Sequence, residues 1–243
     1  SGGVYLRLLI RRKFASLRQM LRPPSLKALL PLVLGGATML GRQCALNFGF
    51  VTAARRAQSM DPSGVSAAAY GIVMQLYVVG VVCHVAMQGT AAALVSATRA
   101  HSGDAAARRM ADRLFTWCSI VGILLAVTQF LALPWLVPLF STLPKVQEAV
   151  RGPALIASFL HLVNGPVFAG EGVLLGLGCF RDLMIITATG IGTMVACLTA
   201  TSLGQRLNGI LFSFFALNTI LMVALVTHYL KIGPLAVRNN ATS

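Results

Sequence analysis

The sequence predicts an all-α membrane protein of six transmembrane helices. Three observations predict it. Of 243 residues only 11% are charged while 56% are hydrophobic, against about 25% and 45–50% in ordinary soluble domains. A mean hydropathy of +0.78 agrees. Six apolar runs each approach or exceed the ~20 residues a helix needs to cross a bilayer. Finally, the cations sort by side. A soluble globular enzyme, a disordered chain and a coiled coil are therefore disfavoured. The net charge of +14 would ordinarily point to nucleic acid, but its placement between apolar runs points to membrane loops, and no nucleic-acid partner is expected.

The first run is about Leu29–Ala54, interrupted by Arg42. The second, about Val65–Val95, is long enough to tilt or project. The third, about Leu114–Phe140, ends in LPWLVPLF. The fourth, about Val150–Leu177, contains Pro153 near its start and Pro166 inside. The fifth is about Leu183–Leu203 and the sixth about Ile210–Tyr229. Helices are expected because backbone in lipid must satisfy its own polar groups and the runs far exceed barrel strands.

Six spans put both termini on one side. That side receives Arg7, Arg11, Arg12, Lys13, Arg18, Arg22 and Lys27, the second–third loop with Arg99, Arg108, Arg109 and Arg113, then Arg181, Lys231 and Arg238. The other receives Arg55, Arg56, Lys145, Arg151 and Arg206. The positive-inside rule places the termini in the cytoplasm or its equivalent, a stroma; a plasma membrane or a plastid envelope fits. Residues 1–28 read as a basic cytoplasmic inter-lobe loop or an amphipathic segment, 29–231 as the six-helix lobe and 232–243 as a cytoplasmic tail. The basic, polar opening from Ser1 reads as an internal linker, and the chain as a fragment. Five cysteines without a C-x-x-C pair read as buried small hydrophobes.

Residues that are costly in lipid carry the functional reading. Glu171 is the one acidic residue inside a span, and such groups face a cavity or a partner. It reads either as a proton-coupling carboxyl or as a structural charge paired with an arginine. Arg42 is the matching cation: ~13 residues from Leu29 at ~1.5 Å place it ~20 Å deep, against ~14 Å for Glu171 measured back from Phe180. A side chain spans that difference, so an Arg42–Glu171 pair is expected, with an anion-binding role for Arg42 as the alternative. Tyr70, Gln75, His84 and Gln88 in span two, His161 and Asn164 in span four, Gln43 and Asn47 in span one and Asn218 in span six read individually as interhelical hydrogen-bonders. Together they predict a wet cavity between spans one, two and four, with His84 and His161 as secondary proton carriers. Pro166 predicts a kink beside Glu171. In GEGVLLGLG (170–178), Gly172 and Gly176 form a G-x-x-x-G packing face rather than a dinucleotide fingerprint. There is no H-E-x-x-H, G-x-S-x-G, P-loop or intramembrane aspartate pair, so no enzyme, metal or cofactor is indicated.

Two blocks resemble a known family. The first runs through PPSLKAL (23–29), MLGRQ (39–43), TAARRAQ (52–58), AAAYGIVMQLY (67–77) and QGTAAALVS (88–96); the second is VFAGEGVLLGLGCF (167–180). Together they resemble the C-terminal half of MATE (multidrug and toxic compound extrusion) transporters, most closely the DinF-like branch of bacteria and plant plastids. Gly41-Arg42 matches a GR of the family's seventh helix, Ala67–Ala69 with Gln75 its eighth, and Phe168, Glu171, Gly172 and Gly176 the F-x-x-D-G and later glycine of its tenth. Glu171 stands where the family usually has Asp, and Tyr70-Gly71 replaces a frequent His-Gln pair.

The resemblance implies one lobe, the C-lobe, of a twelve-helix secondary antiporter. Such a protein exports small organic solutes by alternating access against a proton or sodium gradient. Glu171 would bind the coupling ion and Arg42 would hold Glu171 or meet an anionic substrate. The partners implied are the bilayer, an organic solute and an N-terminal six-helix lobe absent from this chain, or a second copy. A lipid-linked oligosaccharide flippase of the same superfamily is the near alternative; a polytopic membrane enzyme or anchor without transport is the distant one.

Overall fold

The structure is a computed structural model that describes residues 26–236. The expectations for 1–25 and 237–243 lie outside the described residues. The chain divides into two units, Ser1–Ala37 and Thr38–Ser243; the described residues of the first are the opening of helix α1.

All regular structure among the described residues is helical. The helices are α1 (Leu26–Gln58), α2 (Val65–Phe140), α3 (Pro144–Gly176), α4 (Phe180–Ala200) and α5 (Leu207–Thr227). A 3₁₀ turn (Ser202–Gln205) joins α4 to α5, and a π-helical turn (His228–Ile232) follows α5. Four of the described helices, α2 to α5, are long and apolar enough to cross a membrane, so the chain is an integral multi-pass protein.

The connection between α1 and α2 is ordered by Asp61. Its carboxylate accepts from the backbone N–H of Val65 (3.2 Å) and Ser66 (2.9 Å) and from the Ser63 hydroxyl. It thus satisfies amides that every helix start leaves open. The Ser63 and Ser66 hydrogen bonds hold this carboxyl well below the usual carboxylate range. Gly64, at φ 74°, supplies the left-handed residue that turns the chain into α2.

α2 corrects one expectation. Its 76 residues would reach roughly 110 Å as a straight helix, against a hydrocarbon core of about 30 Å. It is broken at one residue, Gly103 (φ 77°, ψ −179°), in a region essentially open to glycine alone. The stretch carrying Arg99, Arg108, Arg109 and Arg113, expected as a loop, is helix on both sides of that glycine. Alanine, arginine and methionine in AAARRMADR are strong helix formers, and charge ends the apolar layer without ending the helix. The arms, 65–102 and 104–140, fold back on each other: Ala91 and Val95 share a buried cluster with Ala107, Ala111 and Leu114.

α3 is the central element. Pro144 at its start lacks an N–H that would be unpaired there anyway. The helix continues through Pro153 and Pro166 and ends in a Schellman turn. In that turn Cys179 N–H donates to Leu174 O (2.9 Å) and Gly178 N–H to Leu175 O (3.1 Å), with Gly178 at φ 74°. Both arms of α2 press against α3. A Cβ at Gly122 would fall 2.4 Å from His161 O, one at Gly165 2.5 Å from Cys118 O, and one at Gly172 2.6 Å from Gln88 O. α4 and α5 close the other side. The second half of α1 lies on them through Gly49 against Ile191 and Met194 and through Phe50 against Phe214.

These contacts sort the cations of residues 43–236 between two ends. The Gly103 end carries Arg99, Arg108, Arg109, Arg113, Arg181 and Lys231, and the opposite end Arg55, Arg56, Lys145, Arg151 and Arg206. Most of the asymmetry expected from the sequence therefore rests on cations outside the described residues.

Candidate functional site

The site is built on two facing stripes. On the first arm of α2, Tyr77, Gly80, His84, Gln88 and Ala91 recur every three or four residues. On α3, His161, Asn164, Phe168 and Glu171 do the same. That spacing keeps each set on one helix face, and the closeness of the helices at Gly172 and Gly176 holds the faces together. A Cβ at Gly176 would lie 2.6 Å from Ala92 O. The expected G-x-x-x-G face therefore packs on the first arm of α2.

At one end of the stripes stands Glu171, 4% exposed. Arg42 of α1 donates from Nη2 to its Oε1, and Gln88 donates from Nε2 to Oε2 at 2.6 Å. Arg42 also donates from Nε to Thr187 Oγ1 of α4 at 3.1 Å. The expected Arg42–Glu171 pair is present and direct, and one carboxylate draws together α1, α2, α3 and, through Arg42, α4. Charge-assisted bonds of this kind are about twice as strong as neutral ones, and the low dielectric strengthens them further.

Further along, His84, His161 and Asn164 are fully buried. His161 Nε2 meets Gln129 Oε1 of the second arm of α2 at 2.8 Å, and His161 Nδ1 meets His84 Nε2 at 3.3 Å. An amide oxygen only accepts, so in this arrangement His161 carries its proton on Nε2. Its Nδ1 then accepts from His84 Nε2–H, and His84 Nδ1 is left bare. That atom, Gln129 Nε2 and Asn164 Oδ1 are buried without a partner among the described residues. Asn164 donates to Tyr77 Oη at 2.8 Å. The rings of Tyr77, His161, His84 and Phe168 stack in series at 5.3–5.4 Å.

Between spans one, two and four, where a wet cavity is expected, the polar side chains lie closely packed. His84, His161, Asn164 and Glu171 are buried against one another's helices, and Arg42 and Gln88 are half-buried at the edge. The reason is glycine: Gly80 leaves room for the His161 ring, 2.4 Å from where its Cβ would sit. The remaining polar residues do not join. Gln43 and Asn47 bond to each other on an exposed face of α1 (3.4 Å), Gln75 is exposed, and Asn218 donates to Phe214 O of its own helix.

No protein-family model and no curated protein sequence matches the chain. Solved structures do match. A MOP superfamily transporter from Pyrococcus furiosus, described as having a binding pocket of reversed polarity, aligns with a TM-score of 0.74 at 14% identity over 88% of this chain and 48% of its own. A MATE transporter in complex with MaL6 aligns at 0.73 and 14%, over 87% and 47%. An outward-facing multidrug resistance MATE family transporter aligns at 0.71 and 14%, over 82% and 44%. The fold is that of half a MATE transporter. The chain spans about half the length of the solved structures it matches.

Within this fold, sequence reasoning missed Thr187, Gln129, Tyr77 and Gly80. Thr187 gives no signal, since a threonine costs little in an apolar helix. Gln129 does: an amide in the run AVTQFLAL is as costly as Gln88, and its partner is one of the histidines.

Proposed function

We propose that the chain is the C-terminal lobe of a secondary antiporter of the DinF-like MATE branch. It would export small organic solutes by alternating access, with Glu171 as the coupling carboxylate and both termini on the cytoplasmic or stromal side. The observation that carries the reading is the grip on Glu171: its two oxygens are held by Arg42 and Gln88, from two other helices, in a chain with the fold of half a transporter. A carboxylate converts a bound ion into motion only if its partners differ between its two states. Protonation removes the charge that Arg42 and Gln88 bind, so it loosens α1 and α2 from α3 together. Pro166, five residues before Glu171, removes a backbone donor from α3 and eases its bending there; Gly172 and Gly176 let α3 slide against α2. Between proton and sodium, the proton is favoured, because the Arg42 guanidinium already occupies the place beside Glu171 that a sodium ion would need. His84, His161 and Asn164 form a second buried polar group on the same helices.

The test uses the chain assembled with its complementary lobe in proteoliposomes. Acridine orange in the lumen reports proton release when ethidium or a dicarboxylate is added to vesicles with an imposed pH gradient. Glu171→Asp is expected to keep exchange and Glu171→Gln to abolish it while the protein stays folded. Unchanged exchange in Glu171→Gln would make the carboxylate structural. Exchange driven by sodium and indifferent to pH would overturn the proton assignment. Movement of lipid-linked oligosaccharide indifferent to either gradient would favour the flippase.

A further inference from the structure

A cavity of about 680 Å³ lies at the end of the molecule opposite Gly103, between the second arm of α2 and the start of α3. It has the size of an ordinary ligand pocket and is separate from the Glu171 site. Its walls are Phe130, Leu131, Pro134 and Trp135 of α2 and Leu155 of α3, with Gln147 and Arg151 as its polar members. Gln147 is committed, since its amide donates to Ser141 O at 2.8 Å. Arg151 is exposed and has no hydrogen-bond or ion-pair partner among the described residues, although it is the one charged group in the lining.

The level of Arg151 is fixed by its neighbour. A Cβ on Gly152 would lie 2.9 Å from Asn208 Oδ1, at the start of α5 and beside Arg206. Arg151 therefore stands where α4 and α5 leave the apolar layer. Trp135, 72% exposed, lies on the facing helix, and tryptophan concentrates at the membrane–water boundary. Toward the membrane interior the groove continues over Leu131, Leu155 and the Phe130–Phe159 ring pair, 6.2 Å between centroids. The combination is a cation with no partner among the described residues, at headgroup level above an exposed apolar trough, which is the charge pattern that suits an anionic amphiphile. A guanidinium suits this role because its planar fork can bond two phosphate oxygens at once.

We propose that this groove binds an anionic phospholipid of the surrounding leaflet, its phosphate on Arg151 and one acyl chain laid past Trp135 along Leu131, Phe130 and Leu155.

The chain's two tryptophans, Trp117 and Trp135, make the test direct. In Trp117→Phe protein, reconstituted in phosphatidylcholine vesicles, Trp135 emission is quenched by brominated phosphatidylglycerol or by brominated phosphatidylcholine at equal mole fraction. The expected result is at least a threefold lower half-quenching fraction for the anionic lipid. That preference should be lost in Arg151→Gln and kept in Arg151→Lys, with circular dichroism confirming that both are folded. Equal quenching by the two lipids in the parent protein would overturn the proposal, as would a preference that survives Arg151→Gln. If oleate added from water displaces the brominated anionic lipid at a tenth or less of the effective phosphatidylglycerol fraction, the groove serves a free amphiphile and the lipid assignment falls.

Discussion

Arg42 and Glu171, 129 positions apart, form an ion pair between α1 and α3, and Gln88 of α2 holds the carboxylate oxygen that Arg42 leaves free. Removing one member of such a pair is costly because the other stays buried and charged, whereas removing both charges costs much less. Arg42→Gln is expected to destabilise by about 3 kcal/mol, and Arg42→Gln with Glu171→Gln to recover at least half of that. Thermal unfolding in detergent of the two single variants and the double variant measures the coupling. Additive losses would mean that the pair contributes nothing beyond its separate side chains.

The glycines separate packing from helix propensity. Gly172→Ala places a methyl 2.6 Å from Gln88 O and 2.7 Å from Ala91 Cβ. Backbone cannot yield as a side-chain tip does, so a loss of about 1–3 kcal/mol is expected. Gly192, in α4, has nothing within 4 Å of its Cβ position, so Gly192→Ala should be neutral or stabilising by up to about 1 kcal/mol. Melting temperatures of the two variants, measured side by side, check the contrast.

The histidine pair should behave as a unit. His161→Phe preserves ring stacking but strands His84 Nε2 and Gln129 Oε1, at about 1–3 kcal/mol for each buried group left unpaired. Combining it with His84→Phe and Gln129→Leu removes the stranded groups, and the triple variant should unfold at a higher temperature than His161→Phe alone. A triple variant less stable than the single one would show that the rings pack without depending on their hydrogen bonds.

Asp61 gives a pH dependence of definite sign. Its carboxyl is held below the ordinary value, which is about 3.9 in an unfolded chain. Its contribution is therefore fully present above about pH 4 and is lost as pH falls through the depressed folded value. Asp61→Ala should melt below the parent at pH 7. The difference should persist to about pH 4 and close only in stronger acid. Melting curves from pH 7 to pH 2 test this, and a gap independent of pH would remove the carboxylate as its cause.

How far the sequence can be read depends on cost. Glu171 and Arg42 stand out because a charge in an apolar run demands a partner, and similar depth names that partner. Gln88, His84, His161 and Asn164 stand out on the same ground, though not which meets which, since that depends on the register between α2 and α3. The register is set by Gly80, Gly122, Gly165, Gly172 and Gly176, and a glycine in a run shows that something comes close without showing what. The helical stretch around Gly103 escapes a reading by charge, because its arginines end the apolar layer and leave the helix intact. Thr187 is silent in the sequence, because a hydroxyl that can bond its own helix carries no penalty in lipid.

One residue, Gly103, joins two membrane-length arms, and α3 lies wedged against both. An elbow without a linker has no slack: a tilt of either arm must appear as a change of angle at a single pair of dihedrals or be passed on to the other arm. The hairpin is thus a lever whose fulcrum is one glycine, and the range of its swing is set by how tightly α3 fills the angle between the arms.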